Sequence, residues 1–341
     1  MLQQKGADIY NRIHEQPALW QETLDYINSQ KDELVSWFKQ EAFDRIILTG
    51  CGSSYHVAAG AEKLLSTVGK LPAYAYPASE ILIDSSTVME PKKKELLIAI
   101  SRSGETSETV WVAEKLQKKN PSIKTIALTC QKDSSIAKLA SKTLLFEKAM
   151  EDNPIMIKSF SAPLFAFQPL AAAISGDQKY NEEIKKVPSL CEMKKFHSQI
   201  QQAAAMKFNH AIFLGSGVNY PIAMEGMLKL KEMAGISAEA YHSLEFRHGA
   251  ICAVSPQTLI ILLLSENLKS AEEELMREIS SMKGQLIVFC EQTENRLQAA
   301  AEFVFELHSG LSESARQILL VPYLQLFAFY HSLSRGLNPD K

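Results

Sequence analysis

Between Ser101 and Thr106 the chain reads SRSGET, directly after the apolar run LLIAI. Ser101, Ser103 and Thr106 can each donate a hydroxyl hydrogen bond, and Gly104 permits a tight turn. A helix starting here has unpaired N–H groups that carry positive partial charge. Hydroxyls and a glycine at such a place make a cradle for a phosphate. A plainer reading is compatible with it: Ser103 or Thr106 caps the helix, with Glu105 or Glu108 in its first turn. GCGSS (50–54) is a second polar turn, and it adds Ser53 and Ser54. It lacks the third glycine of a dinucleotide fingerprint, and no GxxxxGK[ST] occurs. Both facts disfavour a nucleotide. A small phosphorylated ligand held between GCGSS and SRSGET fits better.

A second set of reactive side chains lies in EGMLKLKEMAGISAEAYHSLEFRHGA (225–250). Glu225, Lys229 and Glu232 stand at helical spacing and share a face. On an ordinary helix that is a solvated ion-pair face. If Glu232 is partly desolvated, it can instead serve as a general base. Glu239, Glu245, Arg247 and His248 crowd a loop ending at Gly249. An imidazole there can take or give a proton near neutral pH. His242 reads as a supporting group, and His14, His197 and His331 read as surface residues.

The surrounding pattern says what must position these groups. ALWQETLDYINSQKDELVSWF steps at helical intervals. After it, RIILTG (45–50), AYAYP, ELLIAIS (95–101), KTIALTC (124–130) and KTLLF (142–146) read as strands. SSYHVAAGAEKLL and TSETVWVAEKLQKK read as helices between them. Alternation of this kind predicts a parallel sheet covered on both faces.

The pattern then returns. HAIFLGSGVNYPIAMEGMLKL (210–230) repeats IILTGCGSSYHVAAGAEKLL in kind, with Gly50, Gly52 and Tyr55 matched by Gly215, Gly217 and Tyr220 at a constant offset. TLIILLLSEN echoes ELLIAISRSG, and QLIVFC echoes TIALTC. An internal duplication follows. The fold class is α/β, with two doubly wound parallel-sheet domains and an N-terminal helix. The divisions are a helical segment (1–40), a first domain (41–178), a linker helix (179–207) and a second domain (208–341). ESARQILLVPYLQLFAFYHSLSRG reads as a long amphipathic helix at the end. Only the first half has the hydroxyl cluster; the second has SEN in its place, so one ligand per chain is expected.

The 341 residues carry a formal net charge of −3, which argues against a nucleic-acid or anionic-membrane surface. No apolar run approaches the ~20 residues of a membrane span, and no signal core opens the chain. Five scattered cysteines without CxxC spacing read as free thiols in a reducing cytoplasm, with no zinc site.

Taken together, EQPALWQETL, GCGSSY, SRSGETSET, GSGVNYPIAMEGMLKLKEMAGISAEAY and EFRHG resemble the paired sugar-isomerase (SIS) domain family. The likeness is to the isomerase half of glucosamine–fructose-6-phosphate aminotransferase and its stand-alone relatives. It runs from about residue 16 to the end. It implies a hexose 6-phosphate or amino-sugar phosphate as ligand, a homodimer, and no metal or organic cofactor. By position, the resemblance makes Ser54, Ser101, Arg102, Ser103 and Thr106 the phosphate- and sugar-binding residues, with Ser53 beside them. It gives Glu232 the proton transfer between C1 and C2, Lys229 a place near the reacting carbons, and His248 the ring opening in the neighbouring subunit's site. No glutamine-hydrolysing segment is expected, and where relatives run on through a basic tail that closes over the sugar, the sequence stops at GLNPDK, so the tail is either missing from this chain or not needed by this protein. Arg102, where the aminotransferase has glutamine, and HSLEFRHG point toward deamination of glucosamine 6-phosphate. The alternatives are a fructosamine-6-phosphate deglycase, a ketose/aldose isomerase and a non-catalytic sugar-phosphate regulator.

Overall fold

The computed structural model describes residues 5–90, 92–293 and 299–341. Two compact units emerge: Glu15–Pro188, and Ser189–Lys341 together with the residues up to His14. Helix α1 (Ala7–Glu41) supplies residues to both.

In Glu15–Pro188 the chain runs β1 (Arg45–Gly50), α2 (Ser53–Thr67), β2 (Ala73–Pro77), α3 (Ala78–Ile83), β3 (Glu95–Ile100), α4 (Ser107–Lys119), β4 (Lys124–Thr129), α5 (Ser135–Leu139), β5 (Lys142–Leu145), α6 (Lys158–Ser175) and α7 (Gln178–Ile184). The strands pair in parallel in the order β2-β1-β3-β4-β5. Every residue of β1 and β3 is buried, as expected of strands covered on both faces. Ile47, Leu97 and Ala99 pack beneath Val112, Ala113 and Leu116 of α4. Each such large aliphatic side chain contributes about 1.5–3 kcal/mol by leaving water. That packing fixes where α4, and the loop before it, must begin.

After α8 (Val187–Leu190), whose residues divide between the two units, the other unit continues with α9 (His197–Ala204), β6 (His210–Gly215), α10 (Asn219–Ala234), β7 (Ser237–His242), β8 (Thr258–Leu263), α11 (Lys269–Ser281), β9 (Gln285–Cys290), β10 (Phe303–Glu306), α12 (Glu313–Arg316) and α13 (Leu320–Ser334). Its order, β10-β9-β8-β6-β7, is that of the first sheet read from the other edge. The register repeats as well: Arg45 pairs with Glu95, and His210 with Thr258. Gly52 and Gly217 carry φ of 56° and 57°. A Cβ on Gly50 would meet the backbone of Ser54 at 2.7 Å, and one on Gly215 that of Asn219 at 2.7 Å. The two G-x-G turns are thus the same turn, and the duplication holds in three dimensions.

The end of the chain differs from its expected form. ESAR, a 3₁₀ turn at Gln317–Leu319 and α13 replace one amphipathic helix. α13 is buried on nearly every face, packed against α9 and α10. His331 is therefore no surface residue: it is buried, its Nδ1 is 2.9 Å from the Ala204 carbonyl, and its ring stacks on Phe208. His14 and His197 are half-buried in an aromatic group with Tyr10 and Tyr330, where His197 Nε2 and the Tyr330 hydroxyl are 2.7 Å apart.

α1 begins on side chains from far along the sequence. Asn338 Oδ1 accepts the Gly6 N–H at 3.0 Å, and Asp340 Oδ1 accepts the Ile9 N–H at 3.0 Å. A carboxylate at a helix start satisfies orphan donors and meets the positive end of the helix dipole. Among the described residues no helix is long and apolar enough to cross a membrane.

Candidate functional site

SRSGET leaves β3 at the carboxyl edge of its sheet, where open α/β sheets bind ligands. Ser101 is buried, its N–H bonded to Leu128 O at 3.0 Å. Its hydroxyl accepts the Gly104 N–H at 3.0 Å and lies 2.9 Å from the Thr106 hydroxyl. Gly104 has φ of +67°, and Ser134 lies directly beneath it. The buried Ser134 hydroxyl has no hydrogen-bond partner among the described residues. Thr106 is the N-cap residue of α4, yet no side chain caps that helix. The expected cap by Ser103 or Thr106 is thus not formed. Ser103 Oγ accepts the Glu105 N–H at 3.2 Å, and the Thr106 hydroxyl is turned to Ser101. Glu105 faces away, accepting the Ser135 N–H at 2.8 Å and the Ser135 hydroxyl at 2.6 Å. Those bonds, from the Ser135 hydroxyl first, hold its carboxyl below the usual range. The α4 start therefore offers hydroxyls to an anion, with the Glu105 carboxylate turned away from it and Glu108 exposed in the first turn.

Ser53 and Ser54 are buried at the start of α2, another helix without a side-chain cap. The Ser54 hydroxyl lies 4.0 Å from Met156 Sδ. Arg102 is engaged elsewhere: Nη1 donates to the carbonyls of Asn153 at 2.7 Å and Pro154 at 3.4 Å. The loop through Asn153 and Met156 flanks the cradle, and nothing in its sequence drew attention to it. Glu151 anchors that loop by accepting the N–H groups of Ile157, Lys158 and Ser159 at the start of α6.

The second candidate group lies in the other unit, on α10. Lys229 is 0% exposed, Glu225 2% and Glu232 29%. Lys229 Nζ is 3.1 Å from Glu225 and 2.5 Å from Glu232. The solvated-face reading fails here. Gly226 lets Leu324 of α13 close on α10, since a Cβ there would meet Leu324 at 2.9 Å. Val321, Leu324 and Gln325 then seal Glu225 and Lys229 with no room for a water. Burial works against the ammonium, but Glu225 and then Glu232 outweigh it and hold the Lys229 pKa above its ordinary 10.5. Glu232 is the carboxylate of the trio that reaches solvent.

The expected crowd around Gly249 does not converge. Glu239 lies in β7, 3.6 Å from His210 Nε2. Arg247 turns to α11, donating from Nε to Glu278 at 3.0 Å. His248 is exposed, beside Gly249 at φ 109°. The His242 ring stacks on Tyr220 with centroids 3.8 Å apart. Among the described residues no group of three or more His, Cys, Asp or Glu is arranged to hold a metal ion.

The SIS domain sequence profile matches residues 41–173 and 206–333. Glutamine–fructose-6-phosphate aminotransferase [isomerizing] of Legionella pneumophila (strain Lens) is 30% identical over 342 residues, covering 96% of this chain and 56% of that protein. Its namesake from Caldanaerobacter subterraneus is 28% identical over 356 residues, with 96% and 56% covered. The chain thus spans about half the length of these curated relatives. Among solved structures, the C-terminal domain of glucosamine-fructose-6-phosphate aminotransferase from Francisella tularensis superposes with a TM-score of 0.85 at 25% identity, covering 98% of both chains. Glucosamine-6-phosphate deaminase from Thermotoga maritima gives 0.71 at 26% identity, covering 94% of this chain and 96% of that one. Tagatose-6-phosphate ketose/aldose isomerase from Escherichia coli gives 0.88 at 21% identity over 98% and 95%, a likeness of fold alone.

Proposed function

The chain belongs to the SIS domain family, and on that premise we propose that it is a phosphosugar isomerase–deaminase acting on an amino-sugar phosphate such as glucosamine 6-phosphate. One observation carries the proposal most: a sealed lysine bonded to two carboxylates, of which Glu232 faces solvent. The open carboxylate is the one acid of the trio that a bound ligand can reach. A carboxylate fixed beside an ammonium is suited to taking a proton from carbon and returning it.

In this reading the 6-phosphate sits on the hydroxyls of Ser101, Ser103 and Thr106 at the uncapped start of α4, with Ser53 and Ser54 beside it. Arg102 serves the same ligand through the loop it ties at Asn153. Binding energy from the remote phosphate then positions C1 and C2. His248, supplied by a partner subunit in a homodimer, assists ring opening. Glu232 removes the C2 proton, giving an enolamine, and returns it at C1. Water adds to the resulting C2 imine, and ammonia leaves as fructose 6-phosphate forms. Lys229 holds Glu232 in place and offsets charge on the reacting oxygen.

The test is Glu232→Gln, assayed for ammonia and fructose 6-phosphate from glucosamine 6-phosphate. Turnover should vanish while glucosamine 6-phosphate still binds. Unchanged turnover overturns the mechanism. Wild-type protein that binds the sugar phosphate without releasing ammonia overturns deamination, and points to a deglycase, an isomerase or a regulator.

A further inference from the structure

The second half has a strand-to-helix loop in the place that SRSGET holds in the first, and its donors are taken. β8 ends at Leu263 and α11 begins at Lys269. Glu272 of α11 turns back over the loop. Its Oε2 accepts the Ser265 N–H at 2.7 Å, and its Oε1 accepts the Ser216 hydroxyl at 3.1 Å. The Ser243 hydroxyl, fully buried, stands close enough to favour the ionised form of Glu272. Glu313 comes in from α12. Its Oε2 accepts the Glu266 N–H at 3.0 Å and the Ser265 hydroxyl at 3.2 Å, and its Oε1 accepts Asn219 Nδ2 at 2.9 Å. Arg316, 4% exposed, stands behind, with Nη1 3.3 Å from Glu266.

Two successive backbone N–H groups, several hydroxyls and an amide form a donor set suited to a tetrahedral oxyanion, while Arg316 is engaged by Glu266, Glu291 and the Leu311 carbonyl. These are not ordinary helix caps. A cap takes the N–H groups of its own helix. Glu272 takes one from the loop before α11 and a hydroxyl from the turn before α10. Glu313 takes none from α12. The shared register places Glu272 where the first half has Thr109. The contacts agree: Cys51 Sγ lies 3.9 Å from the Thr109 hydroxyl, as Ser216 lies beside Glu272. Burial holds the pKa of both carboxyl groups above the ordinary carboxylate value, and the N–H and hydroxyl donors offset part of that rise.

We propose that Glu272 and Glu313 act as a built-in anion, filling in the second half the place that a phosphate ester takes in the first. The chain accordingly holds one phosphate where its duplicated fold would provide for two. This rests on the assignment of the first cradle given above.

Bound phosphate per chain, counted by equilibrium dialysis with radiolabelled inorganic phosphate, tests it on the wild type and on Glu272→Ala/Glu313→Ala. One phosphate on the wild type and two on the double variant are expected. One on each overturns the built-in anion. None on the wild type and one on the variant upholds it and overturns the first cradle. None on either overturns both. If circular dichroism shows the double variant unfolded, Glu313→Ala alone serves. Millimolar inorganic phosphate should then raise its melting temperature by more than that of the wild type or of Glu313→Gln, whose amide still fills the space. Equal rises in all three overturn the proposal.

Discussion

Replacing Lys229 with methionine is the sharpest probe of the α10 trio. The substitution keeps the side chain's bulk and removes its charge. Glu225, 2% exposed, then keeps a carboxylate sealed under Val321, Leu324 and Gln325 without the Lys229 ammonium that faces it. Breaking a buried pair in this way costs about 3–5 kcal/mol. For a unit of this size each kcal/mol moves the melting temperature by about 2–4 °C, so a fall of roughly 6–20 °C is expected. Glu232 behaves differently: at 29% exposure water can solvate it, and Glu232→Gln should cost within about 1 kcal/mol. Adding Glu225→Gln to Lys229→Met removes the stranded charge and should recover much of the loss. The Lys229 pKa is raised in the folded state, so its contribution is fully present below 10.5 and is lost only as the pH climbs through the folded value. Titration of Lys229 itself should therefore add no pH dependence to the cost between about pH 6 and 9. Urea and thermal unfolding of the three variants measure all of this. A Lys229→Met loss below about 1 kcal/mol, or a double variant no better than the single, refutes the buried-charge argument.

Two further perturbations read other parts of the molecule. Gly104→Ala must hold φ near +67° and place its Cβ 2.1 Å from Ser134 Oγ. It should lose about 2–5 kcal/mol and weaken phosphate-ester binding at least tenfold by calorimetry, whereas Gly52→Ala, with open space around it, should lose only about 1–2. Burial, set against the Ala204 carbonyl, lowers the His331 pKa below 6.5. A depressed imidazole stabilises above its unfolded pKa and is lost as pH falls, so stability should decline below about pH 6.5, and His331→Gln should flatten that decline in urea titrations.

The strands were legible because a buried parallel strand must be apolar on both faces and because glycine stops it. RIILTG and ELLIAI could hardly do otherwise. The duplication was legible because Gly50 and Gly215 each face backbone that no Cβ can approach. What lay beyond the sequence was tertiary. Glu225, Lys229 and Glu232 have the same spacing on a wet helix and a dry one, and only α13 decides between them. α13 hid His331 for the same reason. Arg247 could reach several neighbours from its loop, and the position of Glu278 on α11 settled the choice. Glu272 was within reach: aligning the two halves through their registers puts an acid opposite Thr109.

The start of α1 is tied to Asn338 and Asp340, and this bears on how the molecule is made. Glu15–Pro188 leaves the ribosome as a complete unit, able to pack its own sheet. The residues before Glu15 belong to a unit that still lacks its partners from Ser189 to Asp340. At ordinary elongation speeds that wait lasts about 8–30 s. Throughout it Ile9 and Ile13, fully buried in the finished fold, stay open to whatever binds nascent apolar segments. Translation rate and chaperone supply should therefore act on the stretch before Glu15 more than on Glu15–Pro188.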